Sequence, residues 1–186
     1  FPVASIGVGP VTVQASLVGS ADTVRAPLFL SFGDAFGITI FDELLSYLRY
    51  FTSPERLQAL RDTPPEQRAA AWAAFWKQTD PNPATPEHEA LRDYFKRIAT
   101  ANARYGEKGT PGWLTDRGKV YVTLGEPDQA GQQMGATSSR GRAEIWVYTQ
   151  YNLRLVFTSQ GGTGQLRLTP SSASDFEKVV KREQSR

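Results

Sequence analysis

The sequence predicts an α+β fold, in which a helical layer over about residues 41–105 packs on an antiparallel sheet over about residues 119–168. Apolar residues recur at helical spacing in the first range and alternate with polar residues in the second. An N-terminal β-strand arm precedes both. We therefore expect three parts: a strand-rich arm (1–40), an α+β domain (41–170) and a helical C-terminal tail (171–186).

The N-terminal arm carries little charge and shows strand patterns. Apolar residues alternate with polar ones over Val11–Leu17 and again over Leu28–Phe32, which predicts two strands joined by a turn at residues 19–22. Two strands alone are marginally stable in water, so the arm is expected to pack on the domain or on another protein. The charged residues of the arm are Asp22, Arg25 and Asp34.

Four helices are predicted next, and three of their starts repeat one device. A hydroxyl residue caps the first turn, and the proline after it occupies a position where no amide donor is needed. Thr63 and Glu66 are also expected to form a capping box. The fourth helix is predicted from about Pro86 to Tyr105, with His88 in its first turn at the surface or as a cap. The three starts are Ser53-Pro54, Thr63-Pro64 and Thr85-Pro86.

The region after residue 109 is predicted to be sheet. Tyr151-Asn152 is a tight connection, so the second and third strands are expected to form an antiparallel hairpin. The segment Gln129–Arg142, rich in Gly, Ser, Thr and Gln, predicts a mobile loop. The predicted strands are Lys119–Leu124, Glu144–Tyr148, Leu153–Phe157 and Gln165–Leu168.

The most distinctive stretch is Pro111–Asp128. Its two glycines, Gly112 and Gly118, permit backbone angles that a side chain forbids. The side chains of Thr115 and Asp116 are expected to hydrogen-bond the amides of their own turn. Trp113 between them is expected to fill the gap between the helices and the sheet.

Several ordered motifs surround this stretch. A tryptophan-bearing helix (Phe75–Lys77) precedes an Asp-Pro-Asn-Pro-Ala-Thr-Pro-Glu segment (Asp80–Glu87), and Glu144-Ile-Trp follows later in the chain. Over about residues 47–168 this order resembles the GWxTD domain family, a bacterial family of no settled function. His88 departs from the pattern, since family members often have asparagine there. The resemblance implies a cell-envelope or secreted setting and no reaction. Its signature residues here are Gly112, Trp113, Thr115, Asp116, Arg117, Gly118, Asp80 and Trp146.

Composition argues against several classes of function. The net charge is +2, too small to indicate a nucleic-acid partner. The chain has no cysteine and one histidine, so a zinc site lacks ligands, and no serine-nucleophile or phosphate-loop motif occurs. Calcium is the only plausible metal, through Asp80, Asp116 or Asp128, and their spacing does not match a helix-loop-helix site. We therefore expect no cofactor, no metal and no transmembrane segment.

The sequence leaves two functions open. The first is a non-enzymatic protein-interaction or scaffold module, an extrinsic structural subunit of a larger bacterial envelope or membrane-associated complex, whose partners are other protein subunits. A periplasmic or secreted location fits it, and Phe1 in place of an initial methionine is compatible with a removed export signal. The alternative is a carbohydrate- or small-ligand-binding domain, with glycan cleavage by paired carboxylates. Its site is expected at Trp113, Asp116, Tyr121, Glu126 and Asp128.

Overall fold

The computed structural model describes residues 9–16, 18, 23–30, 41–85, 88–133, 142–159 and 165–184. The described residues form six α-helices and two antiparallel sheets, so the predicted α+β class is confirmed. The chain divides into two compact units, residues 1–95 and 96–186, and the division falls inside the fourth helix. The finer division into arm, domain and tail stays a prediction.

Two antiparallel strands open the first unit; two strands are predicted there, but the second begins at Thr23, five residues before its predicted start at Leu28. β1 (Gly9–Ser16) pairs with β2 (Thr23–Leu30), and we call the pair the N-terminal ribbon. The register places Ala15 opposite Val24, and Val13 lies two residues before Ala15, so these three side chains share one face. All three are exposed. The predicted turn at residues 19–22 lies outside the described residues.

The rest of the first unit is helical and has an aromatic core. Leu44, Leu45 and Leu48 are fully buried. The Tyr94 hydroxyl donates a hydrogen bond to the carbonyl of Tyr47 at 2.6 Å, which fixes the fourth helix against the end of the first. The helices are α1 (Phe41–Tyr47), α2 (Pro54–Arg61), α3 (Arg68–Thr79) and α4 (Glu89–Tyr105).

Of the three predicted cap devices, one is confirmed and one is wrong. Ser53 caps α2 and accepts from the amide of Arg56. The Thr63 hydroxyl instead donates to the carbonyl of Ala59 at 2.9 Å, and no capping box with Glu66 forms. Thr63 lies two residues after the end of α2, so its hydroxyl satisfies one of that helix's last carbonyls. The third device includes Pro86, which lies outside the described residues; α4 begins at Glu89.

The second unit contains a four-stranded antiparallel sheet with strand order β3-β4-β5-β6. The predicted hairpin is confirmed: β4 and β5 are joined by a 3-10 turn and by Asn152, whose φ is 48°. The loop predicted over residues 129–142 is wrong for its first five residues, which pair with β4 as an edge strand. The strands are β3 (Gln129–Gln133), β4 (Ala143–Tyr148), β5 (Leu153–Ser159) and β6 (Leu166–Leu168).

The strand predicted over Lys119–Leu124 is a helix, so the sheet begins at residue 129 and not near 119. This helix, α5 (Asp116–Leu124), has Thr115 as its N-cap and Gly125, with φ 84°, as its C-cap. Val120, Tyr121, Val122 and Leu124 are all buried. A short helix surrounded on most sides shows no polar face, and its apolar residues then imitate the alternation of a strand.

The tail predicted to be helical forms α6 (Pro170–Gln184). Its buried residues Phe176 and Val179 have the helical spacing seen in the sequence. The sheet buries one face, on which Trp146, Tyr148 and Phe157 are each at most 1% exposed. The signature segment lies in this same unit.

Candidate functional site

The signature forms a tight turn between α4 and α5, and we call Pro111–Gly118 the tryptophan corner. Gly112 begins a 3-10 turn of three residues. A Cβ atom on Gly112 would lie 2.0 Å from the carbonyl oxygen of Ala101, and one on Gly118 would lie 1.8 Å from that of Gly112. The expectation that these glycines supply special backbone angles is wrong, since neither has a positive φ. They allow two backbone segments to approach closely.

Thr115 and Asp116 secure the corner by hydrogen bonds. The fully buried Thr115 hydroxyl donates to the carbonyl of Gly112 at 2.7 Å and accepts from the amide of Gly118 at 3.1 Å. This is an N-cap for α5. The expectation that Asp116 bonds the amides of its own turn is wrong. Its Oδ2 accepts a hydrogen bond from the amide of Leu168 at 2.7 Å. The corner is therefore tied to β6.

Both signature tryptophans are buried. Trp113 is 5% exposed, and its amide donates to Asn102 Oδ1 at 3.1 Å. Trp146 is 1% exposed, and its indole Nε1 donates to Glu144 Oε1 at 2.7 Å. An indole buried to this degree presents no open face on which a sugar ring could stack.

Arg117 is the centre of a buried ion cluster. Its guanidinium lies 3.3 Å from Glu144 Oε2 and 3.8 Å from Glu107 Oε1, and its carbon lies 5.4 Å from the centre of the Tyr105 ring. Glu107 also lies 3.5 Å from Arg167, and its Oε1 accepts from the amide of Leu166. Two acids and two bases compensate one another, which is the condition for keeping charge inside a protein. What we call the buried ion cluster comprises the buried side chains of Arg117, Glu107 and Glu144 together with Arg167, whose side chain is 37% exposed at its edge.

Glu126 and Tyr121, two residues of the alternative ligand site, meet around Arg104. The Arg104 guanidinium makes two hydrogen bonds to the Glu126 carboxylate, at 2.6 and 2.9 Å, and lies 5.6 Å from the Tyr121 ring centre. The hydrogen bond from Arg104 lowers the pKa of Glu126. Burial raises the pKa of the neighbouring Tyr105 to about 12. A carboxylate held ionised in this way is suited to binding a cation and not to donating a proton.

The other two carboxylates of that site point to different elements. Asp116 bonds β6, as described above, and Asp128 Oδ2 accepts from the amide of Thr149 at 2.6 Å in the β4–β5 turn. Tyr121 is 8% exposed. Each of the five predicted ligand-site residues thus makes a contact inside its own unit.

Asp80 and His88 belong to the first unit. Asp80 Oδ1 accepts from the amide of Asn82. His88 is 2% exposed, so the expectation of a surface residue is wrong and that of a cap is right: its Nδ1 accepts from the amide of Leu91 at 3.1 Å. Its Nε2 lies 3.0 Å from the Thr79 hydroxyl, and since Nδ1 accepts, Nε2 carries the proton and donates. Burial lowers the pKa of His88, against the opposing effect of the Asp80 and Glu89 carboxylates.

Within the part of the chain that the structure describes, no group of three or more histidine, aspartate or glutamate side chains is arranged to hold a metal ion. A membrane-spanning helix of sufficient length and apolar character is likewise not found among these residues.

Comparison with protein families agrees with the motif order. A family model described as the GWxTD domain matches residues 24–166. The chain belongs to the GWxTD domain family. No curated protein and no solved structure matches it. The letters of the family name correspond here to Gly112, Trp113, Thr115 and Asp116, all of which contact other parts of the second unit.

The position marked x in the GWxTD name is Leu114, which is 37% exposed. The lettered positions around it each have a defined contact: close backbone approach at Gly112, a buried indole at Trp113, a cap at Thr115 and a strand tie at Asp116. In this chain the four lettered positions therefore serve the structural corner, and Asp116 also ties it to a distant strand.

Sequence reasoning missed three residues that complete this region of the GWxTD domain. Asn102 receives the Trp113 amide, and Glu107 and Arg167 complete the buried ion cluster. A weak signal existed for Asn102, since asparagine is a poor helix former and its place inside a long helix suggests a tertiary contact. Glu107 and Arg167 carried no signal, because each is defined by a partner distant in sequence.

Proposed function

We propose that this GWxTD domain is a non-enzymatic protein-interaction module that binds other protein subunits through the N-terminal ribbon. It acts as an extrinsic structural subunit of a bacterial envelope or membrane-associated complex. The envelope setting in this proposal comes from the family resemblance.

The observation that carries the proposal is the exposed apolar face of the ribbon. Val13 is 49% exposed and Val24 is 71% exposed, and Ala15 lies between them on the same face. A two-stranded sheet gains too little from its own contacts to be stable in water. An apolar face on such an element is most readily explained by a partner that covers it.

The contacts of the signature support the same proposal. The lettered residues of the GWxTD name serve to hold the second unit together, through a glycine contact, a buried indole, a cap and a strand tie. Side chains engaged in this way are poorly placed to perform chemistry on a substrate. Recognition is then expected at outer surfaces, and the ribbon carries two exposed large apolar side chains, Val13 and Val24.

Photo-crosslinking in the native bacterium tests this proposal. A photoreactive residue is placed at Val13 or Val24, and at the exposed Lys178 of α6 as the control. We expect one discrete adduct with the same protein from both ribbon positions and none from Lys178. Val13→Thr, which keeps strand preference and shape but removes apolar surface, should weaken the adduct formed at Val24. Identical adducts from all three positions, or a native chain that purifies alone, would contradict the proposal.

The ligand-binding alternative stays a prediction, and a glycan-binding screen distinguishes it. A glycan ligand whose binding is lost in Asp128→Asn and retained in Val13→Thr would favour the site at Trp113, Asp116, Tyr121, Glu126 and Asp128. Turnover of that glycan by the purified chain would extend the alternative to cleavage.

A further inference from the structure

The second surface of interest is the outer edge of β3. Among the described residues β3 pairs with β4 and with no other strand. Residues 129–132 are all exposed, although alternate residues of a strand point to opposite faces. A Cβ atom added to Gly131 would meet nothing within 4 Å. Over residues 129–132, both faces and the outer edge of the strand are therefore open to another chain as far as the described residues show.

The β3 edge lacks the devices that usually prevent strand pairing. Its sequence is Gln-Ala-Gly-Gln-Gln, with no charge and no proline, and its register with β4 is continuous without a bulge. Natural edge strands are commonly protected by lysine, proline or a bulge. The absence of all three along β3 leaves a row of backbone groups that another strand can pair with.

Charge around β3 favours a second copy of the same chain as the occupant. The acidic Asp128, which bonds the neutral amide of Thr149, precedes the strand, and the exposed basic Arg142 lies beside its far end, because Ala143 pairs with Gln133. In an antiparallel pair of identical strands the acidic end of each copy meets the basic end of the other. Asp128 of one copy and Arg142 of the other then lie on the same face, about 10 Å apart at two strand spacings, within the reach of an arginine side chain.

We propose that β3 pairs antiparallel with β3 of a second copy of this chain, with the two-fold axis at Gly131. Gly131 then lies opposite Gly131 of the second copy, and Ala130 lies opposite Gln132. The two four-stranded sheets become one continuous sheet. This inference is independent of the ribbon and of the partner bound there. The short, polar edge gives a weak dimer whose population depends on concentration.

Disulfide trapping tests the register directly, because the natural chain contains no cysteine. Directly opposed residues of antiparallel strands have Cα atoms about 4.5–5.5 Å apart, which suits a disulfide. Gly131→Cys should therefore form covalent dimers under mild oxidation, at about ten times the rate of the exposed control Lys178→Cys. Ala130→Cys alone should stay near the control rate, whereas a mixture of Ala130→Cys and Gln132→Cys should form the mixed dimer.

Sedimentation velocity of the chain without cysteine gives the second measurement. We expect the sedimentation coefficient to rise with concentration, and the rise to disappear in Gln132→Lys, which places like charges on an edge that must pair with itself. A thermal melt of Gln132→Lys that matches the parent chain shows that the fold is kept. A monomer at all concentrations overturns the inference, as does a Gly131→Cys rate equal to that of Lys178→Cys. Efficient self-crosslinking of Ala130→Cys overturns the register.

Discussion

At the residue scale, the two glycines of the tryptophan corner are required because a Cβ atom there would collide with neighbouring backbone, and not because their φ angles are positive. We predict that Gly118→Ala destabilises the domain by about 3 kcal/mol or more, because the new methyl group meets the backbone of Gly112 at 1.8 Å. The matched control is Gly131→Ala, where the space is open; its effect should stay within about 1 kcal/mol. Urea denaturation of both variants measures the difference. Equal free energies of unfolding would show that the corner tolerates separation of its two segments.

His88 is the residue at which stability should depend on pH near neutrality. Burial lowers its pKa in the folded chain, whereas the unfolded chain keeps a value near 6.5. Between these two pKa values the unfolded chain binds more protons than the folded chain. The free energy of unfolding is therefore highest, as far as His88 is concerned, above about pH 6.5, and it falls as the pH drops towards the folded pKa. We expect a loss of up to about 1.4 kcal/mol per pH unit in that window.

The variant that isolates this effect is His88→Asn. Asparagine keeps an acceptor for the amide of Leu91 but does not titrate. Urea midpoints at pH 7.5 and 5.5 should therefore differ for the natural chain and converge for the variant. If both proteins lose the same stability over this range, carboxylates and not His88 govern the pH dependence.

At the scale of elements, the buried ion cluster joins α5, β4 and the segment that follows α4. We predict that Arg117→Met costs about 3–5 kcal/mol, because it removes the basic partner of the Glu144 carboxylate and leaves Glu107 with Arg167 alone. The comparison is Arg104→Met, which breaks the exposed pair with Glu126 and should cost about 1 kcal/mol or less. Thermal and urea denaturation measure both variants.

A double variant separates charge from packing in that cluster. Glu144→Gln removes one carboxylate and keeps an acceptor for the Trp146 indole. Added to Arg117→Met, it should restore part of the lost stability, since less uncompensated charge remains buried. A double variant less stable than Arg117→Met would mean that Arg117 acts through its packing on Tyr105.

The elements also show which parts of the fold a sequence can predict. α4 was predictable because Leu91, Tyr94 and Ile98 are buried on one face of a long helix whose other face is solvated. α5 was not predictable, because it is buried on most sides and so has no polar face by which a helix is recognised in a sequence. In β4 the buried face carries Glu144, Trp146 and Tyr148, and the acid among them has its partner in Arg117, 27 residues earlier. The local sequence pattern predicts helices and strands from the spacing of apolar residues. It does not predict which polar groups are buried, because that depends on partners distant in sequence.

At the scale of the whole molecule, the sequence identifies the GWxTD signature but not the distant contacts that its residues make in the fold. The motif order identified the family, and the family match over residues 24–166 confirms it. The structural use of the motif could be expected for Trp113 but not for Asp116, whose partner is Leu168, 52 residues away. The functions proposed for the ribbon and for the β3 edge are further still from the sequence, since each proposal depends on contacts with another chain.

The last prediction concerns how stability is distributed along the chain. The ribbon exposes Val13, Ala15 and Val24, whereas β4 and β5 carry buried side chains such as Trp146 and Phe157, so hydrogen exchange in the isolated chain should be faster in the first than in the second. If a partner binds the apolar face of the ribbon as proposed, adding it should slow exchange in the ribbon and leave β4 and β5 unchanged. The measurement is amide exchange followed by mass spectrometry, with and without that partner. Ribbon amides already as protected as those of β4 in the isolated chain would show that the ribbon is stabilised within its own chain, and the main reason for a partner there would be lost.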